Sequence, residues 1–335
     1  MQIEFVIAPP PGLELAALEH IPQLRFAYSR GRVTTGSVGA EGYWFSRFGV
    51  GRQSDWPAAA YRLSADQAGE SYWLCADPVH LQVDRDQLLL AAGAVDDLGD
   101  DEAQQLVAML NRHFAPDGLS IHALSPLEWV LEAPRALELA APPPWRIAGR
   151  PAGPNLPRGA DAAWARRVAN EAQMLLYQSP VNHAREAAGK APVNSLWLWG
   201  GGRRQAGSAV LAPHPLEIFS SAKHVRELAR FGCISSQPLP TSWTQLEGAK
   251  SVVGTGKSLI DLTEISAGAD WEAHLQTNWL LPAEAAAKSK KQQVWCTFLT
   301  QSASAGARLY HGDLFHFFVR NSLAQYVDNP QNQSN

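Results

Sequence analysis

The sequence is poor in cysteine and has no long apolar run. Its three cysteines, Cys75, Cys233 and Cys296, lie far apart and form no CxxC pair, which argues against a disulfide framework and against a zinc knuckle. Each is expected to be a small buried apolar residue. Because no segment approaches the roughly 18 uncharged apolar residues of a membrane helix, we expect no membrane among the partners of the chain.

Positive charge is also scarce. The 335 residues carry 28 Lys and Arg against 32 Asp and Glu, a formal net charge of −4. The densest basic group is Lys288, Lys290 and Lys291, which is typical of a solvated helix end. A nucleic-acid-binding surface needs a larger basic patch, so we expect no nucleic-acid partner.

The N-terminal segment does not look like a secretory signal. MQIEFVIAPPPG lacks a basic first part and a long apolar core, and it predicts a buried strand over residues 3–7 that is stopped by the prolines at 9–11. We therefore expect a cytoplasmic protein.

Apolar spacing predicts a mixed region in the first half of the chain. Residues 100–114 place their apolar side chains on one helix face, and short β-rich segments flank this helix. We predict a reduced N-terminal part of an α/β core at 1–70, followed by an α+β block at 71–141.

A proline-rich stretch is the best candidate for a domain boundary. Residues 142–160 contain six prolines, a composition that disfavours a helix interior and the centre of a sheet. We predict a linker at 142–160 and the main α/β core at 161–328.

Strands and helices alternate after this stretch. The predicted strands cover 195–199, 258–262 and 294–299, and the predicted helices cover 161–178, 222–231 and 270–288. This alternation predicts an α/β fold with a mostly parallel sheet and flanking helices. The turn at Gly312 and Asp313 predicts an additional antiparallel hairpin.

One stretch has an incomplete phosphate-loop pattern. VVGTGKSLI ends like GxxxxGK[ST], but Ser251 stands where the first glycine belongs. Ser258 also begins a predicted strand, so no helix N-terminus would face a phosphate. The pattern does not predict a nucleotide site.

Two places have spacing that could suit a metal ion. Asp270 and His274 are one helical turn apart and could present two ligands to one cation, although such a pair more often lies on the surface. The other place is ADPVHLQVDRD, which contains Asp77, His80, Asp84 and Asp86. There Asp77 and Pro78 more simply predict a turn. Neither place has an identifiable third ligand.

The run of Gly200, Gly201 and Gly202 follows directly on an apolar strand that ends at Trp199. Such a turn at the carboxyl end of a parallel strand often lines a binding crevice, because a glycine backbone allows close approach. The glycines could equally permit a tight exit from the strand. The sequence leaves both readings open.

Two long strings resemble a known family. PVNHAREAAGKAPVNSLWLWGGG, preceded by NEAQMLLYQ, and SYWLCADPVHLQVDRDQLLL resemble segments of the bacterial RpfE-like regulatory proteins, and the resemblance covers roughly residues 70–300. That family in turn is similar to the archaeal-type cofactor-independent phosphoglycerate mutases of the alkaline-phosphatase-like superfamily. The resemblance implies an α/β fold of that type.

The same resemblance implies a set of site residues. The substrate-side positions are Asn182, Arg185, Asn194, Gly200 and Gly202. A guanidinium and paired amides suit a phosphorylated carboxylate.

The metal-binding Asp-x-x-Gly-His of the mutases is matched only in part. Asp270 and His274 keep its spacing, but Ala273 replaces the glycine.

Other mutase features are missing from the sequence. The first strand runs into Ala8 and Pro9 where a metal-binding Asp-Gly is expected, no serine before Ser71 resembles the nucleophile, and a later Asp-His-Gly is absent. We therefore assign no catalytic residue and expect a regulatory or ligand-binding protein without a cofactor. Its expected partner is a phosphorylated small molecule or another protein.

Two alternatives stay open. The chain could be an active phosphoglycerate mutase or related phosphotransferase that uses Mn²⁺ or another divalent metal. It could also be a scaffold that binds a protein through its twelve tryptophans, although most of Trp44, Trp73, Trp129, Trp164, Trp197 and Trp199 are expected in the core.

Overall fold

The computed structural model describes residues 2–7, 32–34, 39–84, 87–205, 216–249, 257–263, 270–290, 293–299 and 304–309. The chain divides into two compact units. Unit 1 combines Met1–Gly49 with Ser208–Asn335, and unit 2 is the continuous segment Val50–Gly207.

The secondary-structure elements are numbered in chain order. The strands are β1 (Gln2–Ile7), β2 (Arg32–Thr34), β3 (Tyr72–Val79), β4 (Leu81–Asp84), β5 (Gln87–Leu90), β6 (Ser120–Ala123), β7 (Trp129–Ala133), β8 (Ser195–Gly202), β9 (Leu216–Phe219), β10 (Ser235–Gln237), β11 (Lys257–Asp261), β12 (Gln293–Leu299) and β13 (Ser304–Leu309). The α-helices are α1 (Gly39–Arg47), α2 (Ala65–Ala68), α3 (Asp100–Phe114), α4 (Pro144–Ile147), α5 (Ala162–Tyr177), α6 (Pro180–Ala187), α7 (Lys223–Phe231), α8 (Trp243–Ala249), α9 (Trp271–Leu275) and α10 (Leu281–Lys290). A π-helical segment, Gln276–Leu280, joins α9 to α10.

Unit 1 contains a seven-stranded sheet in the order β10-β9-β11-β1-β12-β13-β2. The first five strands of this order run parallel, and β13 is antiparallel to both β12 and β2. The predicted strands at 3–7, 258–262 and 294–299 correspond to β1, β11 and β12. The second half of the predicted hairpin after Gly312 lies outside the described residues.

The core of unit 1 forms around Phe5 on β1. Its ring meets Trp243 of α8 and Trp279 of the π-helical segment edge to face, with centroids 5.9 and 6.2 Å apart. Such edge-to-face pairs add to the free energy gained by burying the rings themselves.

Unit 2 contains a four-stranded antiparallel sheet in the order β6-β7-β3-β8, and a separate β4-β5 ribbon. The chain thus has a mixed α/β fold, and the predicted mostly parallel sheet is found in unit 1 only. All eight residues of β3 and of β8 are buried. Because parallel strands also read as continuous apolar runs, the sequence pattern alone does not separate the two arrangements.

The helices α3 and α5 contribute to one core with this sheet. The prediction of a helix over 100–114 is confirmed by α3, which buries Ala103, Leu106, Val107, Leu110 and Phe114. At the start of α3 the Gly99 amide donates to the Glu102 carboxylate over 2.8 Å, which satisfies a backbone group that the helix leaves unpaired.

The domain boundaries differ from those predicted at 1–70, 71–141, 142–160 and 161–328. The proline-rich stretch at 142–160 lies inside unit 2, where Pro151 bridges to Leu89 and Arg158 bridges to Ala140. Its prolines therefore lie in loops and turns and at the start of the short helix α4, within unit 2, and the chain leaves unit 2 near residue 207 instead.

The two ends of unit 2 are hydrogen-bonded to each other. The Gly51 amide donates to Gln205 Oε1 over 3.3 Å, and Gln205 Nε2 donates to the Gly51 carbonyl over 3.2 Å. Gln53 makes a similar pair with the backbone of Arg203, at 2.8 and 3.0 Å. Both ends of the unit are thus fixed side by side.

Asp77 lies at the centre of unit 2, within β3. Together with Pro78 it was predicted to form a turn, but both residues are part of the strand. The ladder from β3 to β7 ends at Cys75, so Pro78 pairs only with β8. A proline, which has no backbone donor, is therefore tolerated at this position.

The Asp77 carboxylate accepts four hydrogen bonds from three residues. Arg62 donates through both terminal nitrogens, over 2.5 and 3.0 Å, the Trp129 amide donates over 3.2 Å, and Trp199 Nε1 donates over 2.8 Å. Burial acts to lower the pKa of Arg62, but the adjacent Asp77 carboxylate outweighs it and holds that pKa above the ordinary arginine value. The guanidinium also lies 5.2 Å from the Trp199 ring centroid.

Most of the tryptophans and one of the two described cysteines are buried as expected. Of the six tryptophans expected in the core, all but the half-buried Trp164 are buried. Cys75 is buried as predicted, whereas the prediction for Cys233 is wrong because that side chain is exposed. The side chain of Cys296 lies outside the described residues.

No helix in the described ranges combines the length and apolar character needed to cross a bilayer. The glycine positions of the incomplete phosphate loop, before Lys257, lie outside those ranges, whereas Lys257 and Ser258 begin β11.

We expect Arg62→Met to destabilise the protein by about 3–5 kcal/mol, since it leaves the Asp77 carboxylate buried without its counter-charge. Chemical denaturation would measure this change. Arg135→Met is the control, because Arg135 pairs with Asp161 at the surface and exposed pairs of this kind contribute little to stability. Equal stability of the two variants would contradict the prediction.

Candidate functional site

The Asn182 side chain connects the C-terminal end of α5 to the residues just before β8 through hydrogen bonds. It lies on α6, a helix that the sequence did not predict, and it is buried. Its Nδ2 donates to the carbonyls of Leu176 and Val193 over 2.8 and 2.7 Å, and its Oδ1 accepts from the Val193 amide over 2.9 Å. Both amide hydrogens are therefore used inside the protein.

Arg185 is fully buried and forms ion pairs with two acidic side chains. Its Nη2 donates to Asp97 over 2.5 Å, its Nη1 to Glu102 over 2.9 Å, and its Nε to the Ala191 carbonyl over 2.9 Å. The side chain has 0% exposure. Hydrogen bonds from Arg185 and Lys190 hold the pKa of Asp97 below its ordinary value. The positive charge is thus already neutralised.

Asn194 bonds to the backbone edge of β4. Its Oδ1 accepts from the Leu81 amide and its Nδ2 donates to the Leu81 carbonyl, both over 2.7 Å. The Asn194 side chain thus bonds to the Leu81 backbone as a neighbouring strand would. Its second Nδ2 hydrogen is not used in these two bonds.

The glycine run lies inside β8, and that strand is antiparallel to β3. The expectation of a turn at the end of a parallel strand is therefore corrected. A Cβ at Gly201 would lie 2.6 Å from Tyr72 Oη, and one at Gly202 would lie 2.5 Å from Pro57 Cβ. The glycines allow close packing against neighbouring side chains of unit 2.

Sequence reasoning missed Asp55, which is bonded to this glycine run. The Gly200 amide donates to its Oδ2 over 3.1 Å, and the amides of Trp56 and Ala141 donate to its carboxylate as well. Burial raises the pKa of Asp55 above its ordinary value, against the lowering effect of these bonds. Only the long-range partners, which the sequence does not reveal, distinguish Asp55 from a surface aspartate.

Asp270 and His274 are both exposed at the start of α9. The His274 amide donates to the Asp270 carbonyl over 3.0 Å, and Asn278 Nδ2 lies 2.9 Å from His274 Nδ1. Since an amide nitrogen only donates, Nδ1 accepts this bond and its lone pair is not free for a metal. Within the described ranges no three His, Cys, Asp or Glu side chains come close enough to hold a metal ion. The described donors therefore do not fit a mutase-type manganese centre.

A second unpredicted cluster lies at the carboxyl ends of β9 and β11 in unit 1. Ser220 Oγ donates to Asp261 Oδ2 over 2.6 Å, and the amide and hydroxyl of Thr263 donate to Asp261 Oδ1 over 3.1 and 2.7 Å. This edge of a parallel sheet is a common ligand position. All three residues are buried, so the cluster presents little polar surface to a ligand.

Unit 2 has an open cleft of about 660 Å³ beside α5 and α6. We call it the amide cleft, because its eleven lining residues include five side-chain amides, namely Asn170, Gln173, Gln178, Asn182 and Asn194. Two of the five site residues implied by the resemblance, Asn182 and Asn194, thus line one cleft. Arg185, Gly200 and Gly202 are not among the described lining residues.

His80 is a further lining residue of the amide cleft that sequence reasoning did not assign. Its Nδ1 lies 2.8 Å from the Pro192 carbonyl. Because a carbonyl only accepts, we assign the proton to Nδ1, and neutral His80 then keeps a lone pair on Nε2. The available sequence signal was its place in ADPVHLQVDRD, which was considered for a metal ion and not for a cleft.

Comparisons with known proteins show short stretches of similarity to phosphoglycerate mutases. The chain is 43% identical over 60 residues to the 2,3-bisphosphoglycerate-independent phosphoglycerate mutase of Methanothrix thermoacetophila, which is 18% of this chain and 15% of that protein. It is 29% identical over 107 residues to the Methanosarcina mazei protein of the same name, 31% and 27% of the two chains. The matches thus span a small part of the relatives' length.

Two solved structures align with most of the chain. The cofactor-independent phosphoglycerate mutase from Thermoplasma acidophilum has 14% identity and a TM-score of 0.45, with 97% of this chain and 95% of that chain covered. PH0037 from Pyrococcus horikoshii has 12% identity and a TM-score of 0.48, with 92% and 87% covered. No family model matches the chain. The chain is distantly similar to phosphoglycerate mutases, and the RpfE-like resemblance stays a prediction.

We expect Arg185→Met to lower the free energy of unfolding by about 2–4 kcal/mol, because Asp97 and Glu102 lose a fully buried partner but stay partly exposed to water. Thermal and urea denaturation would measure the loss. Arg167→Met, in the exposed pair with Glu171, should change stability by less than about 1 kcal/mol. A neutral Arg185→Met variant would show that the guanidinium is not structural.

Asp55 and Asp161 should titrate on opposite sides of 3.8, the ordinary aspartate value. Burial raises the pKa of Asp55, whereas a hydrogen bond from Arg135 lowers the pKa of Asp161. The folded protein then keeps the Asp55 proton to a higher pH than the unfolded chain does. The contribution of Asp55 to stability should therefore fall as pH rises from 3.8 through its folded pKa.

Carboxyl-carbon NMR of the folded protein would measure both titrations, with Asp161 as the internal comparison. An Asp55 midpoint at or below 3.8 would contradict the assignment of its buried environment.

Proposed function

We propose that this chain is a regulatory or ligand-binding protein related to the phosphoglycerate mutases, without mutase activity. The observation that carries the proposal is Arg185, the one cation among the residues that the resemblance places on the substrate side. Its guanidinium is fully buried and bonded to Asp97 and Glu102.

Recognition of a phosphorylated carboxylate depends on a cation that can reach it. A guanidinium binds such groups through paired donors and an uncompensated charge. Arg185 does not offer these, because three of its donors already bond to two carboxylates and a carbonyl and its side chain has 0% exposure. Phosphoglycerate, the substrate in the name of the mutases, is thus poorly matched to this group.

The metal donors support the same conclusion. Divalent-metal phosphoryl transfer needs several carboxylates and imidazoles that converge on the ions. Asp270 and His274 are exposed, and no third described donor lies near enough to complete a site. We derive no catalytic step through a metal from these residues.

The amide cleft supports the binding part of the proposal. Its volume, about 660 Å³, falls in the range of roughly 300–1,000 Å³ that is typical of small-molecule sites. It also contains Asn182 and Asn194 from the implied set. A small molecule bound here is the ligand that we propose for this protein.

Purified protein, separated from host mutase, should not interconvert 2- and 3-phosphoglycerate when Mn²⁺ is present, because the described chain offers no complete donor set. A coupled enolase assay would measure this. The mutations Asp270→Ala and His274→Ala serve as controls, and each should leave any Mn²⁺-induced shift in melting temperature unchanged.

Turnover that scales with protein concentration and disappears in these two variants would refute the proposal. It would support the alternative of an active manganese-dependent mutase.

A further inference from the structure

We propose that the amide cleft binds an uncharged, polyhydroxylated small molecule, such as a sugar or a nucleoside, in preference to a phosphorylated one. This inference rests on the proposed function, since it names the ligand class for the same cleft. It departs from the phosphorylated ligand that the sequence resemblance implies.

The charge of the lining is the first argument. None of the eleven described lining residues is Lys or Arg, and Glu186 is the one acidic residue among them. A phosphate is normally bound by cations or by a helix N-terminus. Here a carboxylate would repel it, so a phosphate at this position is disfavoured.

The hydrogen-bonding capacity of the lining is the second argument. A side-chain amide carries donors and an acceptor, and a hydroxyl group likewise donates and accepts. Asn170, Gln173 and Gln178 have side chains that make no hydrogen bond to any other residue in the described ranges. Several free amides around one cleft therefore match a ligand with several hydroxyl groups.

Part of the lining is held rigidly in place. Asn182, Asn194 and His80 are each fixed by bonds to the backbone. Each can still make one more hydrogen bond to a ligand. Asn182 Oδ1 has a second lone pair, Asn194 Nδ2 has a second hydrogen, and His80 has Nε2. Groups that are ordered before binding lose little conformational entropy when a ligand arrives.

Two exposed side chains of α5 supply apolar surface in the same cleft. Tyr177 is 79% exposed and Met174 is 67% exposed, and they lie three residues apart on one helix face. Aromatic rings commonly supply the apolar surface of small-molecule sites. An uncharged ring with hydroxyl groups at its edge would use both kinds of lining group.

The test compares pairs of probes that differ only by a phosphate: glucose with glucose 6-phosphate, and adenosine with adenosine monophosphate. Saturation-transfer NMR on the whole 335-residue chain would give the dissociation constants. We expect saturable binding of at least one uncharged probe, at least about tenfold tighter than its phosphorylated counterpart.

The variants Gln173→Ala and Tyr177→Ala should weaken this binding by about fivefold or more, which corresponds to the loss of one hydrogen bond or one ring contact. Gln105→Ala is the matched control, because Gln105 is exposed on α3 and does not line the cleft. It should leave the dissociation constant unchanged.

Two results would overturn the inference. One is equal or tighter binding of the phosphorylated probes, and the other is the absence of saturable binding by both uncharged probes. Neither result involves turnover, so either is distinguishable from failure of the proposed function, which the Mn²⁺-dependent mutase assay detects.

Discussion

The buried pair of Arg62 and Asp77 is the interaction on which unit 2 depends. A carboxylate in the core is stable only if donors satisfy its oxygens, and here the donors come from Arg62, from the first residue of β7 and from the Trp199 indole on β8. These bonds fix β3 relative to its two neighbouring strands. The position of β8 in turn sets where Asn194 meets β4 and where the amide cleft is formed.

Residues that resemble a substrate site serve mainly to complete this architecture. Asn182, Arg185 and Asn194 bond to backbone groups and carboxylates at the points where the chain leaves α5 and enters β8. A guanidinium beside paired amides suits an anionic ligand, but it equally suits unpaired backbone carbonyls and partly exposed acidic side chains. Residue type and spacing therefore do not distinguish binding from packing at these positions.

Local signals in the sequence predicted local structure well. The helices α3 and α5 followed from the 3.6-residue spacing of apolar side chains, and β1 and β11 from their apolar runs. The direction of β8 was missed because a strand with both faces buried reads alike in parallel and antiparallel sheets. The partners of Arg185 lie 83 and 88 residues away, so its structural role had no local signal. The prolines at 142–160 indicated a segment without long helices or strands. They did not indicate where one unit ends and the next begins.

The hydrogen bonds between Gly51 and Gln205 have an evolutionary consequence. The first and last residues of unit 2 are neighbours in space. A rearranged gene could therefore lose, exchange or circularly permute this segment without interrupting any described strand of the seven-stranded sheet. Insertions with neighbouring ends are the kind that natural proteins tolerate. An exchange of unit 2 would therefore leave the described strand order of the seven-stranded sheet unchanged.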